Sequence, residues 1–151
     1  MRFRFIPFIM LLLLLGSCNQ ASSDLIVGKV VSIQDGDTVT VLMNGATYRI
    51  RLDGIDCPEK KQAFGNVAKQ FTSEQVFGRQ VKVKWYEKDR YDRYLGTVFT
   101  PEGKNLNQEL LKAGLAWHFK KYNKSPRLAS LEEIAKREEK GLWSDKQAIP
   151  L

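Results

Sequence analysis

The sequence predicts an α+β fold, a small closed barrel of five β-strands with three helices packed beside it. Three observations carry this. The first is Asn44-Gly45 set between the β-branched runs Val39-Thr40-Val41-Leu42 and Thr47-Tyr48-Arg49-Ile50-Arg51-Leu52. Both turn residues tolerate the positive φ that a two-residue hairpin demands. The second is a pair of further strand patterns, at 81–85 and 94–100, that follow a helical stretch. The third is a pair of helix starts downstream, Asn105 with Gln108 and Ser125-Pro126.

In chain order, residues 25–33 are β-branched and read as the first strand. Asp35-Gly36-Asp37 turns into the second, and the hairpin supplies the third, folding Thr38 back beside Leu52. Pro58 stops that extension. Over 65–77, Val67, Ala68, Phe71 and Val76 fall at helical spacing, with Gly78 as the residue just past the end. Val81, Val83 and Trp85 alternate with Lys82 and Lys84, a half-buried fourth strand whose lysines face solvent; 94–100 is the fifth, closed by Pro101-Glu102-Gly103. Asn105 opens a short helix through Ala113 that Gly114 ends. The aromatic, basic stretch 115–122 shows no clear period. Ser125-Pro126 opens the last helix, Leu128, Leu131, Ile134 and Ala135 form its buried stripe, and Gly141 terminates it before Leu142-Trp143. This order resembles an OB-fold. Trp85 and Trp143 are expected in the core and His118 at a surface or core edge.

Length and composition, 151 residues of which 43% are hydrophobic, suit one domain with one core. The first residues are set apart from it. Arg2 and Arg4 precede an apolar run over 5–15, too short to span a bilayer comfortably but right for a signal peptide. It ends in Leu15-Gly16-Ser17-Cys18, which resembles the lipobox of bacterial lipoproteins, where the cysteine becomes the lipid-bearing first residue. An ordinary cleaved signal and an uncleaved anchor are the alternatives; small residues before Cys18 and a polar segment after it favour lipidation. The expected organisation is a signal peptide over 1–17, lipidated Cys18 and a tether over 18–24, and a domain over 25–151. The expectation is an exported cell-envelope lipoprotein on a membrane, which leaves Cys57 as the remaining thiol. Formal net charge is +7 at pH 7 and stays positive without Arg2 and Arg4, which favours polyanions.

The hairpin also carries the chemistry. Its open ends bring Asp37 and Asp56 with Glu59 to one rim. With one histidine and two cysteines in the chain, a His/Cys zinc cage is excluded. Carboxylates with backbone carbonyls suit a hard cation, Ca²⁺ tolerating looser geometry than Mg²⁺. Taken alone, Asp-Gly-Asp reads as a turn and Asp-x-Pro-Glu as a helix start; their convergence across the hairpin is what favours a site. Glu59 is placed to activate water. Arg51 at its strand end and Arg93 in the loop entering the fifth strand add planar forks that match phosphoryl oxygens. Metal, base and two arginines together describe phosphodiester hydrolysis.

These residues resemble the thermonuclease, or staphylococcal nuclease-like, family. The likeness runs from Asp35-Gly36-Asp37-Thr38 through Arg51-Leu52-x-Gly54-Ile55-Asp56-x-Pro58-Glu59 and Asp89-Arg90-Tyr91-x-Arg93 to Asn107-x-Glu109-Leu110 and Gly141-Leu142-Trp143-Ser144. It implies an OB barrel with three helices and a calcium-dependent endonuclease giving 3′-phosphorylated products from DNA and RNA. It further implies calcium on Asp37, Asp56 and the Cys57 backbone oxygen, Glu59 as general base, Arg51 on the phosphate, Arg93 at the leaving 5′-oxygen, and Tyr91 and Tyr122 in substrate binding. No protein partner is implied, and a monomer is expected. Three residues depart from the family pattern. Cys57 replaces a threonine. Asp92 replaces a glycine, with a charge able to draw Arg93 from phosphate. Lys120 replaces a stacking tyrosine. The competing expectation is a non-catalytic OB-type module for nucleic acid or another polyanion.

Overall fold

The computed structural model describes residues 24–145; the expected signal segment and Cys18 lie outside the described residues. Five strands close a barrel in the order β1 (Asp24–Asp35), β2 (Thr38–Met43), β3 (Ala46–Leu52), β6 (Tyr94–Phe99) and β5 (Gln80–Lys88). A two-stranded ribbon of β4 (Ile55–Asp56) and β7 (Trp117–His118) leans on it, with α1 (Gly65–Val76), α2 (Leu106–Lys112), α3 (Pro126–Arg137) and a 3₁₀ turn (Gly141–Ser144). The expected α+β barrel with three helices is what forms. Asp24, assigned to the tether, already pairs with Trp85.

The hairpin register is one residue off the expectation. Thr38 pairs with Arg51, because a two-residue turn at Asn44-Gly45 sets Met43 opposite Ala46; Leu52 instead donates its N–H to the Asp37 carbonyl at 2.8 Å. Closure comes from a short parallel contact, Ile50, Arg51 and Leu52 against Tyr94, Leu95 and Gly96. Gly96 permits it: a Cβ there would meet the Lys84 carbonyl oxygen at 2.5 Å. Val30, Val39, Val41, Ile50, Val83 and Val98 fill the barrel, and Leu106, Leu110 and Leu111 of α2 carry the core across to Leu128 and Leu131 of α3. Each such buried side chain contributes about 1.5–3 kcal/mol.

Asn105 caps α2, its side chain accepting from Gln108 N–H at 3.1 Å, and Ser125 caps α3 in the same way. The last helix stops earlier than expected, at Arg137. Glu139 takes the left-handed position, φ 50°, while Lys140 N–H returns to the Ala135 carbonyl. Gly141 has a different task. Its α-carbon face lies against Gly114, where a Cβ would come within 2.4 Å of the Gly114 oxygen, and Leu142 N–H bonds that same oxygen. Trp85 and Trp143 are half-buried rather than core, whereas His118 is buried.

Candidate active site

Asp37 stands at the β1–β2 turn, Arg51 at the end of β3 and Asp56 on β4, and the barrel brings all three together. Arg51 Nη2 lies 2.8 Å from an Asp56 oxygen and 3.4 Å from an Asp37 oxygen. Its other terminal nitrogen donates to the carbonyls of Leu52 and Ile55 at 2.8 and 2.9 Å, so the guanidinium is fixed by the backbone of the β3–β4 turn. Asp37 is buried and accepts Cys57 N–H at 2.6 Å as well as the Thr38 hydroxyl. Gly36 makes the close turn possible, because a Cβ there would press on Ala68 and the Cys57 sulfur. Thr72 of α1 donates its hydroxyl to the Gly36 carbonyl and locks the turn.

Burial raises the Asp56 carboxyl above its ordinary value; Arg51 opposes this, while Asp37 and Glu59 push the same way as burial. The Cys57 thiol is raised too, by burial first and then by Asp37, so it stays neutral. Glu59 is exposed at the start of the loop into α1, its N–H donating to the Gln62 side chain at 2.6 Å. Gly65 lets that loop fold tightly: a Cβ there would sit 1.9 Å from the Glu59 carbonyl oxygen.

A cleft of about 560 Å³ opens beside this group, and Arg51, Arg93, Tyr91 and Tyr122 all line it. Arg93 is held there by Asp89, whose carboxylate takes its Nε and Nη2 at 2.8 and 2.7 Å and also accepts the backbone N–H groups of Tyr91 and Arg93. Burial works against ionisation of Asp89, but those hydrogen bonds outweigh it and hold the carboxyl below its ordinary range. Asp92 does not draw Arg93 away, as its charge suggested. It pairs with Lys88 at 2.8 Å and points to solvent. Its φ of 59° explains why glycine suits the position.

The residues fit a hard cation in part by chemistry and in part by need. Two carboxylates meet on one guanidinium nitrogen, and Asp56 titrates high chiefly because it is buried, with the negative charges of Asp37 and Glu59 adding to the shift. Such an oxygen donor set, completed by a backbone carbonyl and solvent, suits calcium rather than a soft metal. Among the described residues no three His, Cys, Asp or Glu side chains gather as a metal cluster.

Three features escaped the sequence. The ribbon of β4 and β7 fixes Asp56 opposite Trp117. Buried Glu132 accepts His118 N–H and two lysines, Lys120 at 2.8 Å and Lys136 at 3.2 Å. Asp89 was legible only as an acidic residue four before Arg93.

Comparison with known proteins accords with this arrangement. The family described as "Staphylococcal nuclease homologue" matches residues 49–145. An "Uncharacterized endonuclease" of Escherichia coli O157:H7 is 42% identical over 123 residues, 82% of this chain and 80% of that protein. A "Micrococcal nuclease" of Shigella flexneri is 40% identical over 131 residues, 80% of this chain and 75% of its own length. An "Uncharacterized endonuclease" of Haemophilus influenzae is 40% identical over 122 residues, 80% of this chain and 68% of that protein. With that match over residues 49–145 and relatives 40–42% identical across about four-fifths of its length, the chain belongs to the staphylococcal nuclease-like family.

Proposed function

We propose that this protein is a calcium-dependent endonuclease that hydrolyses phosphodiester bonds of DNA and RNA to 3′-phosphorylated products, held at the cell envelope by a lipid on Cys18. The observation that carries the reading is Arg51 bridging Asp56 and Asp37 on the edge of a cleft that Arg93 also lines. Asp37, Asp56 and the Cys57 backbone oxygen would hold the calcium, which when bound supplies Lewis-acid charge at the phosphate.

The chain's own residues do the rest. Arg51, positioned by the Leu52 and Ile55 carbonyls, faces the scissile phosphate and balances the charge that grows on its oxygens. Glu59 takes a proton from the attacking water as its oxygen bonds to phosphorus. Arg93 meets the leaving 5′-oxygen as a hydrogen-bond donor and a positive charge. The bond from phosphorus to that oxygen breaks, a proton from solvent balances the one Glu59 took, and the fragments end in a 3′-phosphate and a 5′-hydroxyl. Tyr91 and Tyr122, exposed along the same cleft, present ring faces to a base.

One observation favours the competing module that binds nucleic acid without cutting it: Arg93 is already paired with Asp89. Plasmid digestion with and without EGTA tests the proposal. Degradation that stops on chelation supports it; degradation indifferent to chelation removes calcium from the account, and binding without degradation selects the module. The address is tested separately by Cys18→Ala, which is expected to move the protein from the detergent phase to the aqueous phase.

A further inference from the structure

The turn that fixes Arg51 contains a residue the family likeness leaves open, Asp53, the x of Arg51-Leu52-x-Gly54. It lies between the Leu52 and Ile55 carbonyls that hold the guanidinium, and it lines the same cleft as Arg51, Tyr86 and Tyr122. A half-buried carboxylate there repels a polyanion, so its presence calls for another reason. Its hydrogen bonds supply one, because each polar group of Asp53 reaches a different element. The N–H donates to the Gly96 carbonyl of β6 at 2.8 Å, and the carbonyl accepts from the Asn107 side chain of α2 at 2.9 Å. One carboxylate oxygen accepts the Tyr86 hydroxyl of β5 at 2.8 Å; the other accepts the Asn123 side-chain amide at 2.9 Å, 70 positions along the chain. The main-chain bonds anchor the residue to the barrel, and the hydroxyl of Tyr86 holds the carboxylate toward Asn123.

Asn123 directly follows Tyr122 and is the fixed point of its loop. Its N–H, like that of Tyr122, donates to the Phe119 carbonyl at 3.1 Å, its carbonyl lies 2.9 Å from His118 Nε2, and its side-chain oxygen accepts Ser125 N–H at 2.9 Å. Two bonds then join this loop to the Arg51 turn, Phe119 N–H to the Gly54 carbonyl at 2.9 Å and Asn123 to Asp53. Gly54 permits the approach: a Cβ there would lie 2.8 Å from the Asn123 amide nitrogen. Tyr122 itself is 68% exposed, with its ring edge-on to Phe119 at 4.8 Å between centroids. A ring so exposed takes its place from the backbone that carries it.

We infer that Asp53 is a positioning residue: through Asn123 it sets the Tyr122 ring at a fixed place relative to Arg51, so that a base and its phosphate are held together. The inference rests on the proposed function, which puts Tyr122 at a base and Arg51 at the phosphate. Asp53 acts on the ligand through the loop, by removing the cost of ordering Tyr122 when a base stacks on it.

Two variants separate the hydrogen bonds from the charge. Asp53→Ala removes both. Asp53→Asn removes the charge alone, since its oxygen can accept from Asn123 while its amide donates to the Tyr86 oxygen. The probes are a dye-labelled oligothymidylate and an abasic chain of the same length, both with phosphorothioate links that keep the charge and resist hydrolysis. Their Kd values for the full-length protein in detergent, with calcium, are read by fluorescence anisotropy. Asp53→Ala should weaken the oligothymidylate about 3–10-fold relative to the abasic chain, and Asp53→Asn should restore the wild-type ratio. In a Tyr122→Ala background Asp53→Ala should change that ratio no further. Should Asp53→Ala not fold, Tyr86→Phe, which keeps the ring and removes the hydroxyl holding the carboxylate, takes its place with the same expected loss. An unchanged ratio, equal loss on both probes, Asn and Ala behaving alike, or a loss that persists without the Tyr122 ring overturns the inference. If the base-dependent loss is found in a protein that cuts no polynucleotide, the inference stands and the catalytic reading falls; cutting with an unchanged ratio gives the reverse.

Discussion

Arg51 Nη2 lies 2.8 Å from the carboxylate of Asp56, and the same nitrogen is 3.4 Å from Asp37. The guanidinium thus occupies the negative focus that a cation would share, and the two compete for the same oxygens. Arg51→Met is expected to tighten calcium binding, because it leaves both carboxylates without their counter-charge, and yet to lower kcat by about 10²–10³ through loss of the phosphate donor. Isothermal titration and initial rates on the same preparation check both halves. Looser calcium binding would contradict the competition.

Glu59→Gln should lower kcat by about 10²–10⁴ with little change in KM, the signature of a lost proton acceptor. Gly65→Ala offers an independent route to the same group. A methyl placed 1.9 Å from the Glu59 carbonyl oxygen must displace the loop, so kcat should fall although every charged residue remains. Rates on a fluorescent oligonucleotide, with circular dichroism to confirm the fold, measure both.

Asp89 holds the Arg93 loop in its ionised form. Because its folded pKa is depressed, the stability it contributes is complete above its ordinary value of 3.8 and is lost as pH falls through the lower folded pKa. Urea unfolding of wild type and Asp89→Asn should therefore differ most near neutral pH and converge as pH falls below the depressed pKa of Asp89. A gap that widens toward acid would contradict the pairing.

Asn107 ties three segments together, donating to the Asp53 and Gly96 carbonyls and accepting Val98 N–H. Asn107→Ala leaves buried backbone groups unpaired and is expected to cost about 1–3 kcal/mol, read as a fall in the urea midpoint at constant slope.

What the sequence disclosed follows from distance along the chain. The Asn44-Gly45 turn and its flanking strands are local, so the convergence of Asp37 with Asp56 and Arg51 was legible, with a one-residue error in register. Residues 115–122 were not. Trp117 and His118 become a strand only by pairing with Ile55 and Asp56, some sixty positions away, and no local period records that. Gly141 misled because glycine marks helix ends, whereas here Glu139 takes the left-handed turn and Gly141 serves a backbone crossing with Gly114. Asp92 misled because charge in a sequence has no direction; Lys88 takes it up, and Asp89 holds Arg93.

The central claim is that this rim of carboxylates and guanidiniums hydrolyses the 5′-oxygen bond of a phosphodiester with calcium present. End-group analysis of fragments from a calcium-titrated digestion tests it most directly. The account predicts 5′-hydroxyl and 3′-phosphate termini whose yield rises with calcium and vanishes in EGTA; 5′-phosphate termini, or fragments that form in the chelator, would contradict it.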